Sequence, residues 1–124
     1  KEIHRVLEDN GLFLMLETNK QGIENLNSIR SKFGLDPIVP PWHNKVIDEL
    51  VFFDKIKSLF ELVSEINLGD YFFITRVIHP MLVYPEKPSY KNKINEVAFN
   101  LSNSDLGIAP NFSQAKLYVL RKVT

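Results

Sequence analysis

A chain of 124 residues, 44% hydrophobic and 24% charged, can build one domain with a single core and is too short for two. Fifteen basic residues balance fifteen acidic ones and no Lys/Arg run occurs, so no field gathers polyanions, which argues against nucleic acid as a partner. Cysteine is absent, which excludes disulfides and thiolate metal sites and fits a reducing compartment, so a cytoplasmic location is expected.

The chain opens on Lys1-Glu2-Ile3-His4-Arg5-Val6-Leu7, with apolar residues at 3, 6 and 7 and neither a capping residue nor an initiator Met before them. It reads as starting inside a helix, hence as a fragment, the alternative being a natural amino terminus with a short frayed helix. Asn10-Gly11 should close that helix, because both residues readily take the left-handed conformation. Leu12-Phe13-Leu14-Met15-Leu16 is continuously apolar, as expected of a strand covered on both faces in a mainly parallel sheet. Glu17-Thr18-Asn19 then supplies polar groups at the strand's carboxyl end, where open α/β sheets meet their ligands. Ile23, Leu26, Ile29 and Phe33 predict a helix over about Gln21 to Phe33, ended by Gly34, with Asn27 and Arg30 on another face.

Three prolines make Leu35 to Asn44 an ordered, extended loop. A helix resumes from about Asn44 to Ile56 and should lie on the sheet through Phe52 and Phe53. Lys57 to Leu68 alternates with period two and predicts the second strand. Tyr71 to His79 suits a short helix ended by Pro80, with Thr75, Arg76 and His79 on one face. The apolar stretch from Tyr71 to Tyr84 is interrupted by Thr75, Arg76, His79 and Pro80 and falls short of the roughly 20 residues of a membrane span, so no membrane partner is expected. Beyond a proline-held loop at 84–90, Ile94, Val97, Ala98 and Leu101 predict a helix over about Asn92 to Leu101. Ser102 to Ser113 has turn composition, and Lys116 to Val123 makes a terminal strand. The pattern is α/β in class, one domain over 1–124, with three strands, too few for a complete doubly wound sheet.

The segment from Glu2 to Leu14 resembles the helix, glycine turn and fifth strand of class I S-adenosylmethionine-dependent methyltransferases, with Asn10 where that family often has a first glycine. In that family a helix, a sixth strand and a final antiparallel seventh strand follow, an order matched by the segments at 44–56, 57–68 and 116–123. Gly22 to Arg30, Pro41 to Asn44, Tyr71 to Ile78 and Lys93 to Glu96 look like inserts of a bacterial subgroup, some of it associated with surface polysaccharide or other sugar pathways. The resemblance implies the C-terminal part of a Rossmann-like methyltransferase sheet, ending in an antiparallel strand and carrying helical inserts. It implies S-adenosylmethionine as cofactor, bound by an N-terminal part that these residues do not include. The five glycines, at 11, 22, 34, 69 and 107, form no nucleoside loop, so no cofactor-binding residue is expected here.

Methyl transfer asks a protein to align nucleophile and methyl group and sometimes to accept a proton, and a few polar side chains suffice. Glu17 is a candidate base, against a plain role as a strand-end carboxylate. His43 is a second, its ordinary pKa lying near neutrality, against capping or hydrogen bonding within its own loop. Thr18, Asn19, Asn27, Arg30, Trp42, Asn44, Arg76 and His79 are the expected substrate-side residues. Arg76 and His79 would clamp an anionic or sugar acceptor, and Trp42 would stack on it; the competing roles are helix capping, a structural ion pair and rim packing. His4, His43 and His79 lack a ligand spacing, so no metal is expected. The reading is therefore the substrate-side part of a methyltransferase for a small polar acceptor. The alternatives are a noncatalytic α/β interaction module and part of another Rossmann-like enzyme. A sheet edge left unpaired would also favour association with a second copy.

Overall fold

The computed structural model describes residues 1–104 and 106–124. Its elements are α1 (Glu2–Val6), β1 (Leu12–Thr18), α2 (Lys20–Lys32), α3 (Glu49–Ile56), β2 (Phe60–Asn67), α4 (Gly69–Phe73), a π-helical segment (Ile74–Ile78), α5 (His79–Val83), α6 (Lys93–Ser102), a 3₁₀ turn (Pro110–Phe112) and β3 (Ala115–Lys122). Asp105, within the turn segment expected over 102–113, lies outside the described residues.

The three strands form one sheet in the order β1-β3-β2. β3 is antiparallel to both neighbours, with Met15 opposite Tyr118 and Ile66 opposite Leu117, so β1 and β2 run in the same direction with β3 between them. The pairing of β2 shifts register between Leu62 and Ser64, the signature of a bulge. Alternation along the strands gives the sheet two unlike faces. On one, Met15, Phe60, Tyr118 and Leu120 form the buried core, against which Phe52, Phe53 and Ile56 of α3 pack together with Leu7 and Leu59. On the other, Leu14 and Leu16 are each 61% exposed, and Leu12 and Ile66 are exposed with them. The expectation that β1 is covered on both faces is thus met on one face only. Helices α2 and α4 to α6 gather instead beyond the carboxyl ends of β1 and β2, around the fully buried Leu26, Val77 and Ala98.

Local chemistry explains where the elements begin. Asn19 caps α2 by accepting from the Gly22 amide at 3.0 Å, Asp48 caps α3 by accepting from the Val51 amide, and Asn92 caps α6 by accepting from the Asn95 amide. Asn10 (φ 61°) and Gly34 (φ +70°) take the left-handed turns expected of them, although α1 itself stops earlier, at an extended Leu7.

Two elements differ from the sequence expectation. The helix expected from Asn44 begins only at Glu49, because Ile47 runs extended beside the end of β1, donating to Thr18 O and accepting from the Lys20 amide, both at 2.9 Å. The helix expected to end before Pro80 continues to Val83 through a π-helical turn. Pro80 has no amide hydrogen to offer the carbonyl of Arg76, four residues earlier, and its ring crowds that carbonyl; a wider turn accommodates both effects. The Arg30 guanidinium donates through Nη1 to the carbonyl that proline leaves without its helical partner.

Gly22 is required by close approach rather than by φ: a Cβ on it would stand 1.7 Å from Ser113 O and 2.4 Å from Ser113 C. Because the obstruction is backbone, Gly22→Ala is expected to destabilise the chain by about 3 kcal/mol or more, read in thermal unfolding as a drop of roughly 10 °C or more. A midpoint within a degree or two of wild type would contradict this packing.

Candidate functional site

The polar residues that end β1 are held in a network centred on Asn19, which is 2% exposed. Its Oδ1 caps α2, while its amide nitrogen donates to Tyr118 Oη at 3.2 Å and to Glu49 Oε2 at 3.3 Å. Glu49 also receives Lys116 Nζ at 3.1 Å on both oxygens, and Lys116 lies 3.8 Å from Glu65. One half-buried ammonium therefore balances two carboxylates from different elements, an arrangement that orients charge at a partly desolvated strand end. Burial of Tyr118 (0% exposed) pushes its phenol up to about 12, against the lowering effect of the Asn19 hydrogen bond and with a smaller upward contribution from the nearby Glu49 carboxylate. Asn19 is thus occupied by protein partners.

Glu17 and Thr18 sit at the same strand end, half-buried, Glu17 opposite Lys116 in the register. Thr18 Oγ1 accepts from Asn44 Nδ2 at 3.0 Å, which fastens the end of the proline-rich loop to β1. The loop thereby brings His43 and Trp42 toward this end: their rings stand edge to face at 5.5 Å, and Trp42 is 95% exposed. Asn27 grips the other part of the loop, donating to Ile38 O at 3.0 Å and accepting from Ile38 N at 2.7 Å.

The remaining candidates gather elsewhere. Arg30, from the last turn of α2, and Arg76, from the π-helical segment, converge on a cavity of about 310 Å³ lined also by Ile38, Thr75, Pro80, Pro88, Tyr90 and Gln114. Arg76 lies over the rings of Tyr90 (5.4 Å) and Phe72 (5.8 Å), and its Nε donates to Gln114 Oε1 at 3.3 Å. Arg30 Nε donates to Asp36 O at 2.8 Å. Burial and the charge of Arg76 lower the Arg30 pKa, with Asp36 opposing them. Among the described residues neither guanidinium has a carboxylate within ion-pair distance.

His79 is buried beside Asn92 (Nδ1 to Nδ2, 3.5 Å) and is not among the residues lining this cavity. Helical spacing puts it on one face with Arg76, but a π-helical turn advances less per residue and separates the two. The structure therefore brings Glu17, Thr18, Asn19, Asn44 and the loop carrying His43 to one end of β1, and Arg30 with Arg76 to a separate cavity. Gln114 was not legible as a site residue, since it lies just before β3 in a segment of turn composition. Among the described residues no group of three or more His, Asp or Glu could hold a metal ion, and no helix is long and apolar enough to cross a membrane.

No protein-family model, curated protein or solved structure matches this chain.

The Tyr118 phenol gives the Asn19 network a pH signature. It ionises near pH 10 in the unfolded chain and about 12 in the fold, so its contribution to stability is present below pH 10 and is lost as pH rises from 10 toward 12. Urea unfolding should show the midpoint falling over that window. Tyr118→Phe should cost about 1–3 kcal/mol at neutral pH by removing the phenol oxygen that accepts from the buried Asn19 amide and should flatten the alkaline decline. An unchanged decline in the variant would mean that other groups cause it.

Proposed function

We propose that this chain is the substrate-side part of an S-adenosylmethionine-dependent methyltransferase acting on a small polar acceptor. The observation that carries the reading is the inequality of the two outer strands. β2 presents Glu61, Ser64, Glu65 and Asn67 and is the kind of charged, bulged strand that ends a sheet safely. β1 is Leu12-Phe13-Leu14-Met15-Leu16, with an edge that no described strand pairs over these residues and a bare leucine face, the composition of an interior strand. In this reading further strands and helices belong on the β1 side. The helix, Asn10-Gly11 turn and apolar strand, two strands in one direction and an antiparallel last strand follow the order that the resemblance implies.

The described residues do not fit the methyl donor. Their glycines stand at separate positions, Gly22 and Gly69 packed against the backbone of Ser113 and Ala109 and Gly34 and Gly107 in open turns, so no cradle for a nucleoside exists among them. Donor binding is assigned to residues outside this sequence, and no step is drawn through the donor. What these residues supply is acceptor binding and orientation. Glu17 and His43 are the proton-accepting groups at the β1 end, and Arg30 with Arg76 forms a cationic cavity.

A second reading, a noncatalytic α/β interaction module, is favoured by the exposure of Val39, Trp42 and Leu50 around the proline-rich loop. Calorimetric titration separates the two. A longer protein containing this chain with the preceding strands should bind S-adenosylmethionine, and the 124-residue chain alone should not. A folded longer protein that binds neither the donor nor its demethylated product sinks the methyltransferase reading.

A further inference from the structure

We propose that the cavity between Arg30 and Arg76 is a phosphoryl-binding site, taking a phosphate group that is free or esterified to a small molecule. Two guanidiniums from separate elements face one space of about 310 Å³, and among the described residues no acidic one lines it. Arg76 Nε is spent on Gln114, and Arg30 Nε and Nη1 are spent on backbone carbonyls. Among the described residues, Arg76 Nη1 and Nη2, Arg30 Nη2 and the Gln114 amide nitrogen have no protein acceptor.

Two clustered positive charges with outward donors and no carboxylate partner favour an anion, and guanidinium geometry matches a multidentate oxyanion. A phosphate monoester carries a charge of about −1.5 to −2 at neutral pH and so balances both guanidiniums, which a single carboxylate does not. The arginines are fixed before any ligand arrives: Arg76 lies against Phe72 and Tyr90, and Arg30 is tied to the loop and to the turn opened by Pro80. Little side-chain entropy is then lost on binding. Pro80, Pro88 and Ile38 line the cavity and would pack against the organic part of an ester. That the phosphorylated molecule is the methyl acceptor rests on the function proposed above; the anion site does not.

The test is titration of the isotopically labelled 124-residue chain with inorganic phosphate, ribose 5-phosphate and acetate at constant ionic strength, following the arginine Nε–H resonances. Saturable shifts confined to Arg30 and Arg76 are expected with phosphate or its ester, at lower concentration than with acetate. Whichever of phosphate and ribose 5-phosphate saturates first identifies the free or esterified source. Arg76→Gln should weaken binding at least about tenfold.

Arg30 also satisfies a backbone carbonyl, so its removal would disturb the fold. Gln114→Glu is the better second variant, because it places a carboxylate beside Arg76 without removing either arginine, and it should abolish the shifts. Shifts spread evenly over Arg5, Arg121 and the two site arginines overturn the site, as do acetate binding as tight as phosphate or full binding in Gln114→Glu. The donor titration and this one read different ligands, so either proposal fails alone.

Discussion

Asn19 is the residue on which the arrangement of this chain depends. Its side chain ends the helical amide deficit of α2, reaches Tyr118 in the middle strand and Glu49 at the start of α3, and its own amide donates to Gln114 O at 2.8 Å. Three elements, α2, α3 and β3, with contacts spanning up to 99 residues in sequence, thus meet at one buried amide. An aspartate here could accept from Gly22 but could not donate to Tyr118 and Glu49, and it would add a buried negative charge beside a carboxylate. Leucine would fill similar space and leave the Gly22 amide and the Tyr118 oxygen without their partner, each a penalty of about 1–3 kcal/mol, and would take one of its donors from Glu49. Only a side chain that both donates and accepts closes the network.

A second constraint acts at the other end of α2. Proline inside a helix removes one hydrogen bond and crowds a carbonyl, a cost of about 3 kcal/mol in a regular helix. The chain meets it with a π-helical turn and with Arg30, whose donation to Arg76 O ties α2 to the segment that Pro80 distorts. The same interaction sets two positive groups side by side. Their proximity is unfavourable by itself and adds to the effect of burial in lowering the Arg30 pKa, and among the described residues no carboxylate relieves it by direct pairing. Structural need and ligand affinity are therefore not competing explanations for Arg30: the carbonyl uses Nη1 and the loop uses Nε, which leaves Nη2 for the cavity.

What the sequence made legible was local. The cap at Asn19, the left-handed Asn10 and Gly34, and the apolar stripes of α2 and α6 are each determined within a few residues. The terminal strand and the placement of Phe52 and Phe53 against the sheet were legible for the same reason. The failures were of longer range. Asn44 to Ile47 has helix-compatible composition, but its backbone is claimed by Thr18 and Lys20, about 27 residues away in sequence. Pro80 reads as a stop because its usual penalty is not seen to be offset by an arginine 50 residues upstream. Likewise, period and spacing placed Arg76 with His79 and could not place it with Arg30, since that pairing depends on a non-regular turn.

The candidate residues fall into two groups because α2 stands between them. From Asn19 to Arg30 is eleven residues, or about 16 Å along a helix axis, too far for one small acceptor to engage both residues directly. The proline-rich loop bridges that distance. It is fastened near Arg30 by the Asp36 and Ile38 carbonyls and near β1 by Asn44 on Thr18, leaving its middle, with Val39, Trp42 and His43, exposed. Prolines at 37, 40 and 41 lower the entropy that this span loses on ordering, so two anchor points suffice to hold it. His43 and Trp42 are therefore presented from a stiffened strap rather than from a regular element. Their position relative to the arginines is set by the hydrogen bonds of Asn27, Arg30 and Asn44, polar residues whose spacing in sequence gives no sign that they act on the same loop.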